Sequence, residues 1–174
     1  MERGSERSLV ELALAPLRGR DDITALVVGV SPGLLVGADG VRRVDVVGEG
    51  EVAGAGDDPM LHRHAGELGM FLKRVRLGAE GGVEGGWLAV IVADAAFGND
   101  AGLEKLEAAL RPGGVVALRS TVRDTELIVR MSARFTNVAE VAVPVEVEGA
   151  ASLDYVYRGR RHAREAAGGA STVN

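Results

Sequence analysis

Ile23-Thr24-Ala25-Leu26-Val27-Val28-Gly29-Val30 passes directly into Ser31-Pro32-Gly33. The first part is almost continuously apolar and rich in β-branched residues, which is typical of a strand buried on both faces, as in a parallel sheet. A second run of this kind, residues 87–94, ends on Asp94. Because helical patterns separate these runs from the other strand patterns, the sequence predicts a layered α/β sheet.

The first half of the chain predicts helices and strands in alternation. Residues 5–17 favour a short leading helix with Ser5 as its N-cap, and residues 41–47 favour a second strand. Asp57-Asp58-Pro59 is a helix-start signal, because it combines a capping acid with proline in the first turn. We therefore expect a helix from there to about Arg74, followed by a weak third strand at 75–77.

The second half predicts a sheet that closes with antiparallel strands. The expected elements are a helix capped by Asn99 or Asp100, a strand at 115–118, a helix capped by Thr121, and paired strands at 138–147 and 153–157. The predicted fold is thus a three-layer Rossmann-like α/β sheet, mostly parallel, with an antiparallel C-terminal strand pair. We divide it into an N-terminal helix (1–20), one α/β domain (21–158) and a flexible basic tail (159–174).

The composition excludes several classes of protein. Cysteine is absent from the 174 residues, which excludes a disulfide framework, thiolate zinc sites and a cysteine nucleophile. Aromatic residues make up only 3%, which argues against the aromatic platforms that stack on nucleic-acid bases. The net charge is −5, and no apolar run approaches the ~20 residues that a membrane-spanning helix needs. We therefore expect a soluble, cytoplasmic protein that binds neither nucleic acid nor membranes.

Metal-binding and hydrolase patterns are weak. His62 and His64 follow Asp57 and Asp58 closely, but positions i and i+2 of a predicted helix point to different sides, which argues against a metal site. The sequence contains neither a G-x-S-x-G nucleophile motif nor a P-loop. These observations direct attention to the ends of the predicted strands.

The order of those strand ends resembles a class I S-adenosylmethionine-dependent methyltransferase, and within that superfamily the spermidine synthase-like branch. The likeness covers residues 20–158. The segments that carry it are Val28 to Gly33, Asp94-Ala95-Ala96-Phe97-Gly98, Leu110-Arg111-Pro112-Gly113-Gly114 and Phe135-Thr136-Asn137-Val138. The resemblance implies a methyltransferase-like domain over residues 21–158. It also implies a nucleoside cofactor, S-adenosylmethionine or decarboxylated S-adenosylmethionine, at the carboxyl ends of the strands.

The resemblance also assigns roles to single residues. The cofactor-binding positions that it implies are Gly29, Ser31, Gly33, Glu49 and Glu80. Glu49, with Glu51 as its rival, would accept hydrogen bonds from the ribose hydroxyls, and Glu80 would lie at the adenine amine. Asp94 is the implied catalytic residue, because the corresponding acid orients the attacking amine in an aminopropyltransferase and positions the acceptor in many methyltransferases.

Three departures from the family pattern leave two functions open. Ser31-Pro32 stands where the family has glycine, and Pro32 removes a backbone donor. Only Leu34 to Ala38 separates Gly33 from the next turn, barely more than one helical turn. The second acid of the spermidine synthases is absent. One interpretation is a methyl- or aminopropyltransferase; the other is a non-catalytic adaptor with this fold, acting through a homo-oligomer or heteromer interface.

Overall fold

The computed structural model describes residues 3–48, 58–76, 83 and 85–163. Its strands are β1 (Ile23–Val28), β2 (Val41–Gly48), β3 (Leu61–Ala65), β4 (Trp87–Val92), β5 (Leu110–Ser120), β6 (Phe135–Val147) and β7 (Ala150–Arg161). Its helices are α1 (Arg3–Leu14), α2 (Leu68–Arg76), α3 (Asp100–Ala109) and α4 (Thr125–Ser132). Short 3-10 turns cover Ala15–Leu17, Pro32–Leu34 and Ala95–Gly98.

The strands form one seven-stranded sheet in the order β3-β2-β1-β4-β5-β7-β6. Strands β1 to β5 run parallel, whereas β7 is antiparallel to both of its neighbours, β5 and β6. The chain moves outward from β1 to β3 and then returns to place β4 on the other side of β1. The predicted fold class is therefore confirmed, and the β1–β4 junction is the point where the strand order reverses.

Helices cover both faces of the sheet and bury two apolar cores. On one face, Leu9 and Ala13 of α1 pack against Ala25, Val27 and Ile91. On the other face, α2, α3 and α4 pack against alternate residues of the same strands through Phe71, Leu103, Leu106, Leu127 and Met131. All six residues of β4 are buried, as expected for the central strand of a sheet with both faces covered.

The region from 58 to 77 differs most from the sequence prediction. Asp58 forms a turn instead of a helix start: its side chain accepts from Met60 N at 3.0 Å, and its carbonyl accepts from Leu61 N at 3.0 Å. Residues 61–65 then pair with β2 as strand β3. The helix begins only at Leu68, after Gly66 with its φ of +103°. The third strand predicted at 75–77 is also wrong, because Val75 and Arg76 belong to α2 and residue 77 lies outside the described residues.

Of the helix caps predicted elsewhere, the one at α3 is confirmed and those at α4 and α1 are wrong. Asn99 is the N-cap of α3, and its Oδ1 accepts from Gly102 N at 2.7 Å, as predicted. The N-cap of α4 is Asp124 rather than Thr121, and its carboxylate accepts from Leu127 N at 3.1 Å. Ser5 lies inside α1 instead of capping it, and is 3% exposed.

The predicted C-terminal strand pair is confirmed, but β7 is longer than expected. It continues to Arg161, so the boundary predicted at residue 158 falls inside a strand. Arg160 donates twice to Gly113 O, at 2.8 and 3.2 Å, and Arg161 donates to Leu110 O. These arginines, predicted to belong to a solvated tail, therefore hold β7 against the start of β5. Residues 164–174 of that tail lie outside the described residues.

None of the helices in the described part of the chain is long and apolar enough to cross a membrane.

Candidate functional site

The ends of β1 and β4 meet at the reversal point of the sheet. Val28 pairs with Val92, and Ala93 N donates to Val28 O at 2.9 Å. The next residue of β1, Gly29, has a φ of +71°, and a Cβ added to it would lie 3.1 Å from Ala93 Cβ. A side chain at Gly29 would therefore be strained and crowded. Gly29 therefore leaves the backbone at the end of β1 without a side chain beside the end of β4.

The segment after Gly29 is a single 3-10 turn. Leu34 N donates to Ser31 O at 3.2 Å, and Leu35 N donates to Pro32 O at 3.0 Å. Pro32 and Leu35 are buried, whereas Ser31 and Gly33 are exposed. The turn covers only Pro32–Leu34, as the short spacing from Gly33 to the next turn predicts.

Asp94 lies one residue beyond Ala93 and is exposed at the same edge. Its Oδ1 accepts from Ala96 N at 2.8 Å and caps the Ala95–Gly98 turn. Among the described residues, Oδ2 has no hydrogen-bond partner, so this oxygen is free to contact a ligand. Asp94 therefore stabilises its own loop with one carboxylate oxygen and presents the other at the reversal point of the sheet.

The loop that carries Asp94 is held in place from behind. Arg130 of α4 donates to Gly98 O at 2.9 Å. A Cβ at Gly98 would lie 2.6 Å from Leu127 Cδ1, so glycine allows close contact between the loop and α4. Helix α4 is itself anchored to β7, because Asp124 N donates to Tyr157 Oη at 2.7 Å. Burial raises the pKa of Tyr157, which remains a neutral hydroxyl at physiological pH.

The first turn of α1 reaches the same edge from the face of the sheet opposite to α4. Glu6 Oε2 accepts from Ser31 N at 3.3 Å, and Ser5 Oγ accepts from Arg119 Nη1 at 2.8 Å. Ser31 follows β1, and Arg119 lies near the end of β5, so the two contacts flank the end of β4. Sequence reasoning did not find Glu6 or Arg119. No local pattern could, because each contact joins residues distant in sequence.

Two of the predicted cofactor residues cannot be placed. Glu49, its rival Glu51, and Glu80 all lie outside the described residues. Strand β2 ends at Gly48, immediately before Glu49. The ribose and adenine roles of these acids remain predictions.

A buried polar cluster lies away from this edge, on the face covered by α2. Asp45 in β2 is fully buried and accepts hydrogen bonds from Arg43, His64 and Trp87 at 2.8 to 3.0 Å. Burial opposes the charge, but these three partners outweigh it and hold the pKa of Asp45 below its usual value. His64 therefore lies on a strand rather than the predicted helix, and its ring faces a carboxylate and Phe71.

Comparison with known proteins supports the fold. No protein-family model and no curated protein sequence matches the chain. Among solved structures, the N-methyltransferase NodS from Bradyrhizobium japonicum WM9, in complex with S-adenosyl-L-homocysteine, is similar with a TM-score of 0.63 and 14% identity. The match covers 92% of this chain and 87% of NodS. This chain has a methyltransferase fold.

Two further structures of the methyltransferase fold show its range. Human methyltransferase-like protein 13, in complex with SAH, has a TM-score of 0.69 at 19% identity, with 93% of this chain and 84% of that protein covered. Spermidine synthase from Thermotoga maritima has a TM-score of 0.64 at 12% identity, and the chain covers only 61% of its length. Since these identities are low, the likeness concerns the fold, and activity must be argued from the site.

Proposed function

We propose that this chain is a transferase that uses a nucleoside sulfonium, S-adenosylmethionine or its decarboxylated form. The observation that carries the proposal is the pairing of Gly29 and Asp94 at the reversal point of the sheet. Ligands of open α/β sheets bind at the carboxyl ends of the strands at this point. Here the end of β1 has no side chain at Gly29, and the neighbouring end of β4 is followed by the exposed carboxylate of Asp94.

The described residues fit such a nucleoside. Gly29 places no side chain between the ligand and the β1 backbone, and Gly33 is exposed two residues beyond Ser31. Asp94 and Glu6 both contribute negative charge at the edge, which suits a positively charged sulfonium. We assign Gly29, Ser31 and Gly33 to contact with the cofactor, Glu49 to the ribose and Glu80 to the adenine, as the sequence resemblance implies.

When bound, the sulfonium would supply a carbon activated toward attack by a nucleophile, and the carbon–sulfur bond would break with the neutral thioether of the nucleoside as the leaving group. The chain itself contributes position and proton acceptance. Oδ2 of Asp94 accepts a hydrogen bond from the attacking group and takes up its proton, while Oδ1 stays bonded to Ala96 N and keeps the carboxylate in one orientation. Such transfer depends mainly on holding donor and acceptor in a reactive arrangement, so the anchored loop 94–98 is as important as the carboxylate.

The likeness to both N-methyltransferase and spermidine synthase structures supports a transferase of this superfamily, including the spermidine synthase-like branch that the sequence resembles. The proposal keeps the expectation of a soluble cytoplasmic protein that binds a small nucleoside and neither membrane nor nucleic acid.

A specific observation also favours a second candidate, a non-catalytic adaptor. Only the short turn Pro32–Leu34 follows β1. The N–H of Ser31, the residue before that turn, already donates to Glu6. Asp94 already has a structural role, because it caps its own loop. In this reading the edge needs no ligand, and the fold acts through an interface with a second copy or another protein.

Calorimetric titration separates the two candidates. The full chain is titrated to ~1 mM with S-adenosylmethionine, decarboxylated S-adenosylmethionine and 5′-methylthioadenosine, with the thermal midpoint recorded at each ligand concentration. The transferase proposal expects at least one of these nucleosides to bind and to raise the midpoint, because a ligand of the native state stabilises it. If none of the three nucleosides produces heat or raises the midpoint, the transferase proposal is overturned and the adaptor remains.

A further inference from the structure

Strands β6 and β7 continue past the end of the sheet as a two-stranded ribbon. Strand β5 ends at Ser120, which pairs with Tyr155, but β6 and β7 remain paired for five more residue pairs. These pairs extend about 15 Å beyond β5, since a strand rises about 3.3 Å per residue. We call residues 143–147 and 150–154 the ribbon. Because two strands alone are only marginally stable in water, the ribbon depends on what packs against its faces.

One face of the ribbon is covered and the other is exposed. Val143 belongs to the apolar core under α1, and its cross-strand partner Asp154 is also buried. Because side chains alternate along a strand, Pro144 and Leu153 point to the opposite face. Both are exposed there, and Leu153 is 42% exposed. The second face therefore presents apolar side chains to solvent.

The exposed face continues onto the loop after β5. Val122 is 70% exposed, and its N–H donates to Ser120 Oγ at 3.1 Å, which holds it close to the end of β5. Ala142, which pairs with Tyr155, is exposed on the same face as Leu153. We define the ribbon patch as the exposed apolar residues of this region: Val122, Ala142, Pro144 and Leu153. Exposed apolar residues that cluster in this way mark interaction sites, whereas single ones do not.

Unpaired negative charge flanks the ribbon patch. Glu146 lies on the same face, opposite Ala151, and Glu148 lies in the turn that joins the two strands. Both are exposed, and neither forms an ion pair with any residue that the structure describes. The nearby cation, Arg123, is bonded to Glu140 at 2.9 Å. Lysine or arginine from a partner would balance the two free carboxylates, whereas the phosphates of a nucleic acid or an anionic membrane would be repelled.

The position of Pro144 limits how a partner can bind. Strand β6 is the last strand of the sheet, and Pro144 has no N–H to donate to a further strand. Sheet extension along the ribbon would therefore lack a hydrogen bond at this residue. A second copy of the chain fits poorly as well, because a twofold contact would bring Glu146 and Glu148 of both copies together. A cationic protein segment that packs on the face meets neither obstacle.

We propose that the ribbon patch is a docking surface for a protein segment that combines apolar side chains with lysine or arginine. The apolar side chains of the partner pack on Val122, Pro144 and Leu153, and its cations pair with Glu146 and Glu148. The partner covers the second face of the ribbon as α1 covers the first. Docking requires no nucleoside, so this proposal is independent of the transferase proposal.

The test uses the full chain, labelled with nitrogen-15, and three blocked octapeptides. One alternates lysine and leucine, one alternates glutamate and leucine, and one alternates lysine and serine. Titration followed by NMR gives both the affinity and the amides that shift. We expect the lysine–leucine peptide to bind at least about tenfold more tightly than the other two, because it alone combines positive charge with apolar surface. Its amide shifts should concentrate at residues 142–146 and 151–155.

Matched variants distinguish the ribbon patch from the rest of the surface. Leu153→Ser should weaken binding of the lysine–leucine peptide by about tenfold, because it removes apolar contact area. Met70→Ser, at an apolar residue of α2 that is 52% exposed, should leave the affinity unchanged. Glu146→Gln should weaken binding by about threefold, whereas Glu104→Gln, at an exposed position of α3, should not.

Four results would overturn the proposal. Three concern the peptides: no binding of the lysine–leucine peptide at ~1 mM, equal binding of the lysine–serine peptide, or equal losses in Leu153→Ser and Met70→Ser. The fourth is a set of amide shifts at the ribbon that depend on protein concentration without peptide, which would assign the patch to a second copy. Circular dichroism and the thermal midpoint of each variant show that it remains folded.

Discussion

Trp87 Nε1 donates a hydrogen bond of 2.8 Å to Oδ2 of the buried Asp45, which joins the first residue of β4 to the middle of β2 across β1. His64 Nε2 forms a hydrogen bond of 2.8 Å with Oδ1 of Asp45. Phe71 packs against the His64 ring at a tilt of 35°, with the ring centres 4.4 Å apart. The carboxylate therefore ties three strands to α2. A buried charge of this kind is stable only while its partners remain.

Replacing Asp45 with asparagine should destabilise the protein by about 2–4 kcal/mol, because it removes the fully buried charge that orients three donors, Arg43, His64 and Trp87. Asp22→Asn is a matched control: Arg20 binds Asp22 through two bonds at 2.7 and 2.9 Å, with the same spacing as Arg43 and Asp45, but at the surface. We expect little change there. Urea unfolding of both variants measures the difference, and equal losses would show that burial is not the cause.

The pH dependence of stability follows from the same carboxylate. Because the folded pKa of Asp45 is lowered, its contribution is present above the unfolded pKa of about 3.9 and is lost as pH falls through the folded pKa. The native protein should therefore lose stability below about pH 4 more steeply than Asp45→Asn does. Denaturant unfolding from pH 3 to 7 gives both curves. Parallel curves would contradict the prediction.

Gly29→Ala should weaken nucleoside binding by about tenfold, since its Cβ would lie 3.1 Å from Ala93 Cβ, at the strand ends where we propose that the nucleoside binds. Gly37 provides the control, because its φ of +86° is equally unfavourable for alanine but nothing lies within 4 Å of a Cβ there. Both variants should lose about 1–2 kcal/mol of stability from backbone strain. Only Gly29→Ala should lose affinity, as measured with whichever nucleoside the native protein binds.

Asp94→Asn should abolish transfer while leaving nucleoside affinity nearly unchanged. Asparagine retains an oxygen that can accept from Ala96 N, so the loop keeps its cap. It cannot take up a proton from the attacking group. Asp100→Asn, an exposed change in the first turn of α3, is the control with full activity. Undiminished transfer by Asp94→Asn would remove this carboxylate from the chemistry.

Local patterns in the sequence were enough to predict the central strands, the α3 cap and the closing antiparallel pair. They failed at β3, because Leu61-His62-Arg63-His64-Ala65 has no apolar run and becomes a strand only through its pairing with β2 and the bond from His64 to Asp45. The same limit applies at the site. Gly29 and Asp94 mark strand ends and are visible in the sequence, whereas Glu6 reaches Ser31 only after α1 has packed on the sheet.

The end of β7 offers a test of where the folded domain stops. A chain that ends at residue 163 keeps Arg160 and Arg161, whose side chains donate to the Gly113 and Leu110 carbonyls. A chain that ends at residue 158 loses both, together with Gly159, which packs against Phe135. Hydrogen bonds from charged donors contribute roughly 1.5–3 kcal/mol each, so we expect the shorter chain to melt about 5–10 °C lower. The longer one should match the full chain. If both truncated chains melt at the same temperature, the folded domain ends at residue 158, and Arg160 and Arg161 do not stabilise it.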